Sequence, residues 1–178
     1  AGGIIIGANS TPSTGVAPVT SGPLGTGTLT IAGGTSLFAD NASRTLHNAV
    51  EVTGDFTIGG SGNAALTLAG SIHLGSLADR ITFATAGLTT TFNGNITTDI
   101  TSGTALTKAG NGVLQLGSSS MLNLGNAGLT VEAGVIKAGT TDNLSDTSLL
   151  TVETGAGYDL NGNNQTSNAI AGDGFITN

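Results

Sequence analysis

The two histidines of this sequence, His47 and His73, are the residues that most readily suggest acid–base chemistry. A histidine beside a serine and Asp40 or Asp55 would form a nucleophilic triad, in which the imidazole takes the serine proton. The G-x-S-x-G pattern that marks one class of such serines is absent. Both histidines lie in strand-like segments, so we predict that each faces solvent and that the chain has no catalytic residues.

Paired carboxylates are the other acid–base chemistry to consider, because hydrolysis of a polysaccharide requires two carboxyl groups on either side of one bond. Asp159 would have to face Asp40, Asp79 or Asp99 across the fold. Each of these acids lies in a different sequence context, and aromatic residues, which stack on sugars, are only 3% of the chain. A polysaccharide-acting enzyme is therefore a disfavoured alternative.

The segment 159–163, DLNGN, spaces oxygen ligands as a calcium loop would. An EF-hand loop then requires Gly at its sixth position and Glu at its twelfth, where this chain has Asn164 and Ile170. We therefore predict no metal site and no cofactor. Asn161, Asn163 and Asn164 are interpreted as turn residues that tolerate a left-handed backbone and that form amide ladders.

Composition limits the possible partners. The net charge is −7, with only four Lys and Arg residues in 178, so no basic patch is available for nucleic acid. Cysteine is absent, which excludes a disulfide framework and thiolate metal ligands. No apolar run reaches the about 18 residues of a membrane helix, and the opening AGGIII lacks the features of a signal peptide. Any export signal or membrane anchor is expected outside this stretch.

Short apolar and polar alternations interrupted by glycine fill the segment 106–139, and this pattern is typical of half-buried strands. No window longer than about ten residues keeps a helical period without glycine, so we predict an all-β fold with almost no helix. The three prolines lie together in the segment 9–27, which is predicted to be a loop insertion. The predicted strands are 27–32, 36–39, 49–52, 56–58, 64–68, 81–84, 88–92, 113–116, 129–131, 135–137, 149–152 and 175–177.

Internal similarity selects among all-β architectures. Leu29-Thr30-Ile31 matches Leu150-Thr151-Val152, and Gly3 to Gly7 resembles the segment 134–139. We infer repeat units of approximately 1–105 and 106–178, the second incomplete, within one solenoid segment of a longer repetitive chain. Repetition without helices favours a β-solenoid of about 7–8 coils, about 35 Å long. The residues expected to point inward are Leu29, Ile31, Leu66, Leu68, Val113, Leu116, Leu129, Val131, Leu150 and Val152, with glycine at the corners.

Five phrases, LTKAGNGVLQLG at 106–117, GLTVEAGVIKAG at 128–139, LSDTSLLTV at 144–152, DLNGNNQT at 159–166 and GDGFITN at 172–178, follow one another in this order. They resemble the passenger-associated transport repeat of bacterial autotransporters. The resemblance implies a right-handed parallel β-helix that is exported and displayed at the bacterial cell surface.

From these features we expect a non-enzymatic, extracellular stalk or adhesin that contributes to attachment or aggregation. Its partners would be further copies of itself, surface glycans, or host and abiotic surfaces. The alternative is a subunit of an extracellular filament that stacks end to end, because the terminal coils of a solenoid expose unpaired backbone groups.

Overall fold

The computed structural model describes residues 2–12 and 18–178, and its regular secondary structure consists of short β-strands. This confirms the all-β prediction. In chain order the strands are β1 (Gly3–Ile6), β2 (Leu29–Ile31), β3 (Ser36–Ala39), β4 (Arg44–Leu46), β5 (Val50–Val52), β6 (Phe56–Gly60), β7 (Leu66–Leu68), β8 (Ile72–Leu74), β9 (Asp79–Phe83), β10 (Thr89–Phe92), β11 (Ile96–Thr98), β12 (Thr104–Ala109), β13 (Val113–Leu116), β14 (Leu122–Asn123), β15 (Gly128–Val131), β16 (Val135–Lys137), β17 (Leu149–Val152), β18 (Gly157–Asp159), β19 (Ala169–Ala171) and β20 (Phe175–Thr177).

The strands of the described residues form three sheets with parallel pairing between neighbouring strands, and successive strands of the chain pass from one sheet to the next. Sheet I has the order β1-β3-β6-β9-β12-β15-β17-β19, sheet II the order β20-β18-β16-β13-β10-β7-β4, and sheet III the order β14-β11-β8-β5-β2. The chain is therefore a parallel β-solenoid of about seven turns, as predicted. At the usual strand spacing, the eight strands of sheet I span about 34 Å.

A single apolar core runs through the turns, because alternate residues of each strand point inward and meet the same positions of the next turn. Nine of the ten predicted inward residues are buried or pack against this core. Val113 is the exception, since Leu114 and Leu116 point inward from β13. Side chains of one strand alternate between its two faces, so two residues share a face only when their sequence numbers differ by an even number. Val113 and Leu116 differ by three and therefore cannot both face the core.

The segment 9–27 begins with residues that continue the solenoid, and the structure does not describe residues 13–17. The Ser10 N–H donates to the Thr45 carbonyl oxygen at 3.0 Å. In return, the Thr45 N–H donates to Asn9 Oδ1 at 2.9 Å. Thr11 and Ser21 then form an antiparallel bridge. Asn9 and Ser10 therefore cover the edge of β4, and further along the segment Leu24 packs against the core.

The segments that match in sequence lie in different sheets. Leu29–Ile31 is a strand of sheet III, whereas Leu149–Val152 belongs to sheet I. Gly3–Ile6 belongs to sheet I, whereas Val135–Lys137 is a strand of sheet II. All three sheets face the same core, so the same alternating phrase fits each of them.

Glycines at the corners allow successive turns to approach closely. Gly134 has a φ of 67°, and a Cβ there would lie 2.5 Å from the Gly112 carbonyl oxygen and 2.6 Å from that of Gly110. Gly155 has a similar φ of 81°, but a Cβ there would have no neighbour within 4 Å. A substitution at Gly155 would therefore cost only the strain of a left-handed backbone, whereas a substitution at Gly134 would cost this strain and a steric overlap.

We predict that Gly134→Ala destabilises the protein by about 1–3 kcal/mol more than Gly155→Ala, because both place alanine at positive φ but only the first meets backbone atoms. The midpoints of urea unfolding, followed by circular dichroism, measure the difference. Equal midpoints for the two variants would contradict close packing at this corner.

Candidate functional site

His47 lies directly after β4 and is buried, so the prediction that it faces solvent is wrong. Its backbone N–H donates to Ser10 Oγ at 2.7 Å, and its Nδ1 lies 3.1 Å from the same oxygen. Nε2 has no hydrogen-bond partner among the described residues. Ser10 is itself fully buried. The serine and histidine therefore fix the covering segment onto β4, and no Asp or Glu of residues 2–12 and 18–178 completes a triad with them.

The carboxylates that a polysaccharide-acting site would need are held separately. Asp40 forms an ion pair with Arg44 at 2.7 Å, and Asp159 lies 3.5 Å from Lys137 Nζ. Asp99 lies beside His73 instead. No contact brings Asp159 to Asp40, Asp79 or Asp99 in the part of the chain that the structure describes.

The segment 159–163 forms a turn. Asp159 Oδ1 accepts a hydrogen bond from the Asn161 N–H at 2.8 Å, and Asn161 has a φ of 51°. This confirms the left-handed turn for Asn161. The Asn161 amide does not stack on another amide but donates to the Ala138 carbonyl oxygen of the preceding turn at 2.9 Å.

Two acidic residues, Glu51 and Asp99, lie around His73. His73 lies on the outward face of sheet III, in register with Glu51 of β5 and Thr97 of β11. Its Nδ1 lies 3.1 Å from both Glu51 carboxylate oxygens, and its Nε2 lies 3.2 Å from Asp99 Oδ1. The hydrogen bond with Glu51 is the main cause that raises the pKa of His73 above its ordinary value. The imidazole therefore links Glu51 of the preceding turn with Asp99 of the following turn.

Asp79, the first residue of β9, is the residue that sequence reasoning missed. It points inward, is only 2% exposed, and neither carboxylate oxygen has a hydrogen-bond partner among the described residues. Burial raises the pKa of Asp79 to about 6, and the negative charges of Asp55 and Glu51 add to this effect. The alternation of β9 could have predicted this burial, because Asp79 lies two residues before Ile81 and four before Phe83, which are both buried.

Asp79, Glu51 and Asp99 line one cavity of about 260 Å³ between sheet III and the start of β9. The remaining lining residues are Val52, Thr53, Gly75, Ser76 and Leu77. The cavity thus contains three carboxyl groups and two hydroxyl groups, with no Lys or Arg in its lining. Both Asp79 oxygens are enclosed. The carboxyl therefore cannot reach a glycosidic oxygen in this conformation, and the chemistry that the cavity offers is the attraction of positive charge.

Lys108 is the second charged residue on an inward position, and it is completely buried. Its Nζ donates to the carbonyl oxygens of Gly110 and Gly112, each at 2.6 Å, and of Ala133 at 2.7 Å. The ammonium also lies 5.1 Å from the centre of the Phe83 ring. Burial lowers the pKa of Lys108 to about 8. The three N–H donors of the ammonium are thus matched by three carbonyl acceptors, so Lys108 stabilises this corner of the solenoid.

Comparison of this chain with protein families, with curated proteins and with solved structures finds no match. Among the described residues, no helix is long and apolar enough to cross a membrane. By its fold, the protein belongs to the class of parallel β-solenoids.

We predict that Asp79→Asn stabilises the protein in a pH-dependent way. Because the folded-state pKa is raised, the stabilising effect of protonating Asp79 is fully present below about pH 4 and is lost as the pH rises through about 6. The variant should therefore gain about 3 kcal/mol over the wild type above pH 7 and little at pH 4. Urea unfolding across this range measures the gain. Asp146→Asn at an exposed position is the control, and a gain independent of pH would contradict the assignment.

We predict that the His73 imidazole titrates above its ordinary pKa and that Glu51→Gln lowers this pKa, because the glutamine carries no negative charge. Nuclear magnetic resonance of the ring protons against pH measures both values. Asp99→Asn should lower the pKa less, since Asp99 makes the smaller contribution. A larger effect of Asp99→Asn would contradict the observed geometry.

We predict that Lys108→Met destabilises the protein by about 2–4 kcal/mol, because three buried carbonyl groups lose their donor. Lys137→Met is the matched control. Its ammonium is partly exposed and lies 3.5 Å from Asp159, so its loss should cost less than about 1 kcal/mol. Chemical unfolding of both variants measures the contrast, and similar losses would show that the Lys108 contacts contribute little.

Proposed function

We propose that this chain is a non-enzymatic, extracellular β-solenoid segment that acts as a rigid stalk or adhesive surface of a bacterium. The observation that carries the proposal is the continuous stack of turns, in which every sheet is held by parallel pairing between neighbours and one core runs through the interior. Such a stack is stiff along its axis, and each turn adds length and surface without changing the architecture.

The outward face of sheet II supports an adhesive role. One aligned row crosses all seven strands of this sheet: Thr45, Thr67, Thr91, Gln115, Lys137, Asp159 and Thr177. Hydroxyl and amide groups predominate in the row, and the only opposite charges, Lys137 and Asp159, lie next to each other. Regularly spaced hydrogen-bonding groups suit weak, repeated contacts with another copy, a glycan or a hydrated surface.

The proposed location at the cell surface rests on the resemblance of the segments 106–117 and 128–139 to autotransporter passenger repeats. Attachment through the sheet II face then requires neither a cofactor nor a catalytic group.

Aggregation of beads coated with the purified chain tests the adhesive role. Coated beads should aggregate, and Thr67→Asp with Thr91→Asp should reduce aggregation by adding negative charge to the sheet II row. Thr107→Asp with Thr130→Asp is the matched control, because it adds the same charge to the outward face of sheet I. Beads that aggregate no more than albumin-coated beads would overturn the adhesive proposal, and equal effects of the two variants would remove sheet II as the contact face.

A second candidate function is assembly into an end-to-end filament, in which another copy would supply the turn that follows β19 and β20. Ile170 of β19 is 60% exposed, and Phe175 and Ile176 of β20 are 46% and 44% exposed. β19 and β20 are each the last strand of their sheets, so they offer unpaired backbone groups to a further turn. A second copy that supplied this turn would bury both features.

Sedimentation velocity over a range of concentrations tests the filament. Rods should lengthen with concentration, and Ile170→Lys with Ile176→Lys should abolish the growth. Leu77→Lys is the control, since Leu77 is 66% exposed beside the acidic cavity and not at the last turn. A chain that remains monomeric at every concentration would exclude the filament and leave the stalk proposal intact.

A further inference from the structure

Asp79 is enclosed in a way that suits its protonated form and not its ionised form. Both carboxylate oxygens are shut off from solvent and have no hydrogen-bond partner among the described residues. A neutral carboxyl group tolerates such a place, whereas an ionised group without a partner is strongly unfavourable there. We propose that the corner formed by residues 75–79 is a pH-controlled hinge, which opens more often once Asp79 has lost its proton and turns the carboxylate out to solvent.

The corner is held by few contacts. Residues 76–78 are exposed, and no hydrogen bond joins Ser76 or Leu77 to another residue in the part of the chain that the structure describes. Beyond the corner, the Arg80 N–H donates to Asp55 Oδ1 at 2.8 Å, and this bond must break when the start of β9 moves. Segments with few contacts open at a lower free energy than the fold as a whole, so the corner can open locally.

A cavity of about 260 Å³ beside the carboxyl group offers it a path to solvent. Asp79 lines this cavity together with Ser76 and Leu77 of the corner. Asp79 is also the first residue of β9, where it pairs with Leu106 of β12. Turning Asp79 outward therefore breaks only the end of the ladder between β9 and β12, and Ile81 stays in the core.

The negative charges that face Asp79 favour the open state once the carboxyl is ionised. Glu51 and Asp99 line the same cavity, and Asp55 acts on Asp79 from the corner before β6. Burial, with the charges of Asp55 and Glu51, raises the pKa of Asp79 to about 6 in the closed state. The closed state is therefore favoured at acidic pH, and this advantage is lost as the pH rises through about 6.

The positive groups near Asp79 are held by other partners. The Arg80 guanidinium forms a two-point ion pair with Glu132 at 2.6 and 2.9 Å. The Lys108 ammonium donates to three carbonyl oxygens at its own corner. His73 lies between the other two carboxylates of the cavity, and it loses its charge as the pH rises. Repulsion around Asp79 therefore grows in the same direction as its ionisation.

Hydrogen exchange of the Arg80 amide tests the hinge, because opening breaks its bond with Asp55. Nuclear magnetic resonance measures the exchange at pH 4 and pH 8, with correction for the intrinsic rate. In the wild type the protection should fall by about 60-fold between these pH values, since the carboxyl has its ordinary pKa only in the open state. Asp79→Asn should remove this dependence on pH. Asp146→Asn, which removes a charge from an exposed position, should keep it.

Two results would overturn the hinge. The first is the same dependence on pH in the wild type and in Asp79→Asn, whose circular dichroism spectrum must match the wild type. The second comes from exchange in low concentrations of urea, which accelerates an opening in proportion to the surface that it exposes. A local hinge should show little dependence on urea. A dependence at Arg80 equal to that of the most protected core amides would mean that the whole chain unfolds instead.

Discussion

The interaction on which the whole structure depends is the backbone hydrogen bonding between successive turns. Each strand directs its N–H and C=O groups along the solenoid axis, so like positions of neighbouring turns are held in register. On sheet I one inward row reads Phe56, Ile81, Lys108, Val131 and Val152. An inward side chain must therefore fit the residues directly above and below it, and the core is built as rows along the axis.

Two residues in such rows on sheet I are charged, Lys108 and Asp79, and only Lys108 has hydrogen-bond partners for its charged group among the described residues. Lys108 extends from its row to a corner, where three carbonyl oxygens accept its protons. Asp79 begins a row that continues with Leu106, Leu129, Leu150 and Ile170, and its short side chain reaches no donor. The length of the side chain explains the contrast, because a lysine can bury its methylene groups and still place its charge among polar atoms.

The fold class followed from the sequence because alternation and glycine spacing are local signals. Five strands, among them Ser36–Ala39 and Val113–Leu116, have the predicted bounds. Strands such as Arg44–Leu46 and Ile96–Thr98 were missed because a strand of three residues with one or two apolar side chains shows no period. The acidic cavity was not predictable, since Glu51, His73 and Asp99 meet only through the register of turns that differ in length.

Corners are where the main-chain pairing between turns is interrupted, and polar side chains bridge the turns there. The Asn48 amide donates to the Gly25 and Gly27 carbonyls of the preceding turn, and the Gln165 amide donates to that of Thr140. Lys108 does the same with Ala133 of the following turn. Each of these hydrogen bonds joins two neighbouring turns. These polar side chains therefore help to hold the stack of turns together. Asp79, whose two carboxylate oxygens have no hydrogen-bond partner among the described residues, is the buried charge that makes no such contact between turns.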